Sequence, residues 1–125
     1  MNALVVDDDL LNRELLRRML VRMGWRVDEA RNGRTAIASC GEARYDMVFV
    51  DVLMPGMDGF ATARAIRELY SGAGYQPCLL AVTGSFCDTA AAAVFDGVLS
   101  KPFVLEELSS AIQDAPRFRD KRQGL

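Results

Sequence analysis

Asp46-Met47-Val48-Phe49-Val50-Asp51 is the stretch whose reading decides the fold. Its apolar residues run almost without interruption and are closed by an acid. Such a run suits a strand covered on both faces, the usual condition of a parallel sheet. The residues that follow, Met54-Pro55-Gly56-Met57-Asp58-Gly59, form a loop rich in turn formers. Asp58 can cap a helix whose apolar face is Phe60, Ala63, Ile66 and Leu69. Ser71–Gln76 reads as a flexible connection into a second buried strand, Cys78–Val82, ended by Thr83-Gly84.

The same alternation extends in both directions. Ala3–Val6 is a strand ended by Asp7-Asp8-Asp9. Leu11, Leu15, Met19 and Met23, with Leu16 and Leu20 beside them, recur at helical spacing between an N-cap at Asp9 and a stop at Gly24. Trp25–Ala30 alternates weakly, as a second strand would. Asn32-Gly33 reads as a turn, and Ala36, Ile37 and Cys40 mark a short helix. Beyond Thr83, Asp88–Phe95 contains five small helix-favouring residues (Thr89–Ala93), and Gly97–Ser100 is a short strand leading into Lys101-Pro102-Phe103. Leu105, Leu108 and Ile112 make a last helix, with Glu106 and Glu107 suited to its first turn and Pro116 expected to stop it. Five strands alternating with helices predict an α/β fold, a five-stranded parallel sheet with helices on both faces. Right-handed crossovers leave few topologies, and the order 2-1-3-4-5, the flavodoxin-like arrangement, is the expected one. One domain over 1–116 and a basic tail over 117–125 follow, the tail read as a solvated end.

Composition narrows the chemistry. The chain has 125 residues, 15 basic and 17 acidic side chains and no histidine. Without histidine there is no Ser-His-Asp or Cys-His pair, no His-bound zinc and no phosphohistidine of its own. Cys40, Cys78 and Cys87 are odd in number, unrelated in spacing and set among apolar residues, so they read as packed, reduced thiols. A net charge of −2 gives no reason to expect nucleic-acid affinity. No apolar run approaches a membrane span, and the N-terminus lacks the pattern of a signal peptide, which points to a cytoplasmic protein.

In an open α/β sheet, ligands collect beyond the carboxyl ends of the strands. Those ends carry Asp7, Asp8, Asp51, Thr83 and Lys101. Strands 1 and 3 are neighbours in the expected order, so the three acids converge. Two carboxylates about 5 Å apart at an effective dielectric constant of about 20 repel by roughly 3 kcal/mol. Either a cation balances them or one stays protonated. An oxygen-only, anionic site suits a hard cation, Mg²⁺ or Mn²⁺. Lys101 is the only lysine before the tail, a compact ammonium suited to a phosphate oxygen; a cis Lys101–Pro102 bond is one of the two forms open to it. Thr83 adds a hydroxyl, and Gly84 leaves room for a phosphate or backbone to approach. The inferred chemistry is phosphoryl transfer to a carboxylate, with Asp51 as nucleophile because it ends the most buried strand.

These residues resemble the receiver domain of two-component response regulators. The resemblance spans nearly the whole chain: Leu4-Val5-Val6-Asp7-Asp8-Asp9, Phe49-Val50-Asp51-Val52-Leu53-Met54-Pro55-Gly56-Met57-Asp58-Gly59, Ala81-Val82-Thr83-Gly84 and Ser100-Lys101-Pro102-Phe103. It implies that Asp51 accepts a phosphoryl group from a histidine on a sensor kinase or phosphotransfer protein. It implies Mg²⁺ held by Asp7, Asp8, Asp51 and the backbone carbonyl of Leu53, with Thr83, Gly84 and Lys101 around the phosphoryl group. Asp8–Arg13, with Asp58-Gly59-Phe60 and Ile66-Arg67, is similar to receivers of hybrid kinases and phosphorelays. Two departures stand out. The family usually has Tyr or Phe three residues before the lysine, where this chain has Val98, which cannot make the same inward swing. The segment from Thr83 to Lys101 is about one helical turn shorter than usual, so the helix between strands 4 and 5 is expected to be short or displaced. Receivers often dimerise or signal through that face, which keeps a second copy of the chain as a candidate partner.

Three other readings compete. A non-phosphorylated pseudo-receiver would keep the fold but has no need of all five site residues. An aspartyl phosphohydrolase would place a second Asp two positions after the nucleophile, where Leu53 stands, and would carry a cap domain. A flavin carrier needs a phosphate-cradling loop after the first strand, where the acids stand. The expected role is therefore a signalling module that is not a multiple-turnover enzyme.

Overall fold

The computed structural model describes residues 1–84 and 93–122, and only the backbone over 117–122. Its elements are β1 (Asn2–Val6), α1 (Leu10–Arg22), β2 (Arg26–Ala30), α2 (Gly33–Glu42), β3 (Met47–Asp51), α3 (Gly59–Leu69), β4 (Cys78–Thr83), β5 (Gly97–Ser100) and α4 (Leu105–Arg122). The strands form one sheet in the order β2-β1-β3-β4-β5, with every pairing parallel, as expected. The helix expected within 88–95 and the thiol of Cys87 lie outside the described residues.

Each strand feeds two cores by alternation, because successive side chains leave opposite faces. Leu4, Val6, Val48, Val50, Leu79 and Ala81 face α2 and α3, where Ala36, Cys40, Ala63 and Ile66 are buried. Ala3, Val5, Phe49, Leu80, Val82 and Leu99 face the other way, onto Leu16 and Leu20 of α1 and Leu108 of α4. All five residues of β3 are buried, which is why its sequence is nearly unbroken in apolar character. Cys40 and Cys78 are buried thiols.

Several sequence expectations are corrected at the helices. Leu11 and Leu15, which head the four-residue series of α1, are 75% and 58% exposed. At 3.6 residues per turn they lie about 140° and 100° around the helix from Leu16, so the buried stripe is the Leu16–Leu20 line. Asn32 is a helix cap, not a turn residue: its side chain accepts from the Thr35 N–H at 2.8 Å. Pro116 does not stop the last helix, which runs from Leu105 to Arg122. Proline's fixed φ is itself helical, and Ala115 before it is fully buried, so the chain continues past one forfeited hydrogen bond. The caps at Asp9 and Asp58 are as expected; the Asp9 carboxylate accepts from Leu11 and Asn12, and that of Asp58 from Ala61.

At the pole where the strands begin, Arg67 of α3 acts as a clamp. Its guanidinium donates to the carbonyls of Val94 and Pro77 and pairs with Asp96 at 2.9 Å. The buried Asp96 carboxylate also accepts the Leu79 N–H at 2.8 Å. Removing one partner of such a pair strands the other in a poorly solvated place. Arg67→Ala is expected to lower unfolding free energy by about 3 kcal/mol or more, read from urea denaturation. A loss under about 1 kcal/mol, the range of exposed pairs, would contradict the clamp.

Candidate phosphoacceptor and metal site

The parallel order sets the ends of β1 and β3 side by side. Val6 pairs with Val50, so the residues that follow, Asp7 and Asp51, emerge together at one rim. One carboxylate oxygen from each of Asp7, Asp8 and Asp51 lies within 4.8 Å of the others. Asp7 and Asp51 are buried, whereas Asp8 is exposed. The turn that presents them is fixed by its own polar groups. Asp7 Oδ1 accepts the Asp9 N–H at 2.9 Å, and the Asp7 N–H donates to the Ala30 carbonyl at 3.1 Å. Asp51 Oδ1 accepts the Leu53 N–H at 3.2 Å.

Lys101 reaches the acids from β5. Its Nζ lies 3.3 Å from Asp7 Oδ2 and 3.8 Å from Asp51 Oδ1. Its backbone N–H donates to the Thr83 carbonyl at 2.8 Å, and the Lys101–Pro102 bond is cis. Thr83 is buried one residue beyond Val82, the partner of Asp51 in the register of β3 with β4. Gly84 follows, with open space where a Cβ would stand. The structure therefore gathers Asp7, Asp8, Asp51 and Lys101, with Thr83 and Gly84 at the same strand ends. Val98 stands apart from that rim: it pairs with Ala81, two residues short of Thr83, and is 43% exposed.

Two contributors escaped the sequence reading. Gly59 opens α3 directly beneath Asp51; a Cβ there would collide with the Asp51 carbonyl oxygen and come within 2.7 Å of the Val52 Cα. Only glycine lets α3 press so closely on the strand that ends in Asp51. Arg13 donates to the Asp7 carbonyl at 2.8 Å. Its position one turn beyond the Asp9 cap was the available signal, since helical side chains lean back toward the N-terminus.

The donor set fits a hard divalent ion: three carboxylates, no nitrogen or sulfur ligand among the described residues, and an opening at the exposed Asp8. The electrostatics agree. Burial pushes the Asp51 carboxyl up to about 6; the Asp7 charge adds to the rise, while Lys101 and the Leu53 N–H oppose it. A metal-free fold thus resists ionising Asp51, and a cation relieves that resistance.

The sign of the pH effect follows. Without metal, between about pH 4 and 6 the folded chain retains a proton on Asp51 that the unfolded chain, with its carboxyl at 3.8, has already released. This group's stabilising contribution is full below about pH 4 and is lost as pH rises through about 6. Urea midpoints of metal-free protein should carry that decline, and Asp51→Asn should remove it. Millimolar Mg²⁺ should raise the wild-type midpoint most at the upper end of the window, because the ion takes the ionised carboxylate. A wild-type and variant with the same pH slope would contradict the assignment.

The chain matches the family described as the response regulator receiver domain over residues 3–113. It is 34% identical to the sensor histidine kinase AruS of Pseudomonas aeruginosa, across 90% of this chain and 12% of the kinase. It is 40% identical to the response regulator MprA of Mycolicibacterium vanbaalenii, across 84% of this chain and 46% of that regulator. The chain thus spans less than half the length of these relatives. Among solved structures, it superposes on the response regulator TrrA of Thermotoga maritima, determined in complex with Mg²⁺ and BeF, with a TM-score of 0.81 at 28% identity; the match covers 91% of this chain and 97% of that one. The chemotaxis protein CheY4 of Vibrio cholerae gives a TM-score of 0.80 at 31% identity, covering 90% and 95% of the two chains. With fold, acid cluster and relatives in agreement, the chain belongs to the response regulator receiver domain family, the phosphoacceptor module of two-component and phosphorelay signalling.

Proposed function

We propose that Asp51 is the phosphoacceptor of this receiver, taking a phosphoryl group from a phosphohistidine of a sensor kinase or histidine phosphotransfer protein. The observation that carries the reading is the set of three carboxylates within 4.8 Å of one another, faced by one ammonium at 3.3 and 3.8 Å. A carboxylate oxygen of Asp51 attacks phosphorus as the bond from phosphorus to the donor imidazole nitrogen breaks. The electron pair of that bond returns to the imidazole, and an acyl phosphate forms on Asp51. Lys101 moves from the carboxylates to a phosphoryl oxygen, and the Thr83 hydroxyl donates to another. Gly84 leaves the approach open.

Asp7, Asp8, Asp51 and the Leu53 carbonyl are the ligands we assign to Mg²⁺, with Mn²⁺ as a substitute. When bound, the ion offsets charge on the transferring oxygens. The protein's own contribution is positioning and fixed charge.

A protein donor is supported by the surroundings. Leu10, Leu11 and Leu15 of α1 are exposed beside the acids. A cavity of about 350 Å³ opens between Leu15, Leu16, Pro102 and Phe103, with Asp7 and Lys101 at its polar end. The chain has no histidine, so the donor imidazole comes from another protein or another domain. A cytoplasmic site of action fits this partner, and no helix among the described residues is long and apolar enough to cross a membrane. We assign the receiver to residues 1–116, with α4 carrying on into 117–122.

Incubation with radiolabelled acetyl phosphate or a phosphorylated histidine protein should label the chain only with Mg²⁺ or Mn²⁺ present. Asp51→Asn should abolish labelling, and Lys101→Ala should cut its rate by about a hundredfold or more. Absence of label on the wild-type chain under all donors would favour the pseudo-receiver reading.

A further inference from the structure

Arg13 approaches the acid cluster from α1. Its Nη1 donates 2.8 Å to the carbonyl oxygen of Asp7, and its Nε donates 3.0 Å to Oε1 of Glu29 on β2. The side chain is 14% exposed. The second oxygen of Glu29 is taken by Arg17 Nε at 3.2 Å, so that carboxylate is gripped from both sides. The Asp7 N–H, meanwhile, donates to the carbonyl of Ala30, the neighbour of Glu29. Both peptide groups of Asp7 are thus tied to β2, the first directly and the second through Arg13 and Glu29.

The second of these, the Asp7–Asp8 peptide, matters most for a bound ion. Its orientation decides where the Asp8 carboxylate stands relative to Asp7 and Asp51. Asp8 is exposed, so the orientation of the peptide that precedes it bears directly on where its carboxylate stands. We infer that Arg13, anchored by Glu29, is a positioning residue for the divalent-ion site, acting through the Asp7 carbonyl to fix the Asp7–Asp8 peptide. The inference rests on the reading that these acids hold Mg²⁺.

Two effects of Arg13 on Mg²⁺ have opposite signs. As a cation near a cation site it repels the ion, so Coulomb's law alone makes removal of Arg13 tighten binding. As a brace on the ligand-bearing turn it aids binding, and loss of such a support weakens affinity by about tenfold or more. Isothermal titration with Mg²⁺ alone separates them. The expected result is a Kd for Arg13→Ala about tenfold weaker than wild type, with a cooperative metal-free urea transition retained. Arg13→Lys keeps the charge, but one ammonium in place of the fork cannot hold both the Asp7 carbonyl and Glu29 as arginine does. It should therefore also bind Mg²⁺ more weakly than wild type. Wild-type affinity in Arg13→Lys, or equal or tighter binding in a folded Arg13→Ala, overturns the inference while leaving the phosphoacceptor reading in place. A wild-type chain that binds no Mg²⁺ overturns both.

Discussion

Mutual repulsion among Asp7, Asp8 and Asp51 is the constraint around which this receiver is arranged. Three carboxylates within 4.8 Å are unfavourable in any fold that must stand without a ligand. The chain tolerates them by two means. Lys101 supplies one positive charge between Asp7 and Asp51. Burial holds the Asp51 carboxyl up to about 6, which leaves part of the charge unexpressed. Both means are incomplete, and the cluster is left with uncompensated negative charge.

The scaffold meets that constraint through topology and close packing. Parallel strands of order 2-1-3-4-5 bring the ends of β1, β3, β4 and β5 to one rim. Two cores, one on each face, fix the height of every strand, so the rim residues inherit their spacing from buried neighbours. Gly59 lets α3 start against the backbone of Asp51 and Val52. The strand that ends in Asp51 is thus held by apolar and backbone groups that do not titrate.

Much of this is legible in the sequence. β3 and β4 are nearly continuous apolar runs because both their faces are covered, and the polar residues that close them, Asp51 and Thr83, mark the rim. Asp9 and Asp58 were legible as caps because capping needs only a local side chain and a nearby free N–H. The misreadings arose where tertiary packing decides. The apolar series of α1 contains two adjacent stripes, and composition alone does not say which one meets the sheet. Pro116 breaks a helix in isolation, yet here Ala115 packs at the core and the turn continues. Arg13 and Arg67 stand in stretches similar to other receivers, but the sequence alone does not say what either guanidinium holds. Their roles depend on carbonyls of Asp7 and Val94 that become available only after the loops have folded.

The Arg67 clamp and the tyrosines near it lie at the pole opposite the acids. There Tyr45 donates to Asp28, Tyr70 donates to the Cys40 carbonyl, and Tyr70 and Tyr75 meet edge to face. Contributions from sites so far apart, with no shared partners, combine almost additively. Side chains around the rim can therefore change at little cost to the packing of the far pole. That separation makes this small domain a readily diversified receiver.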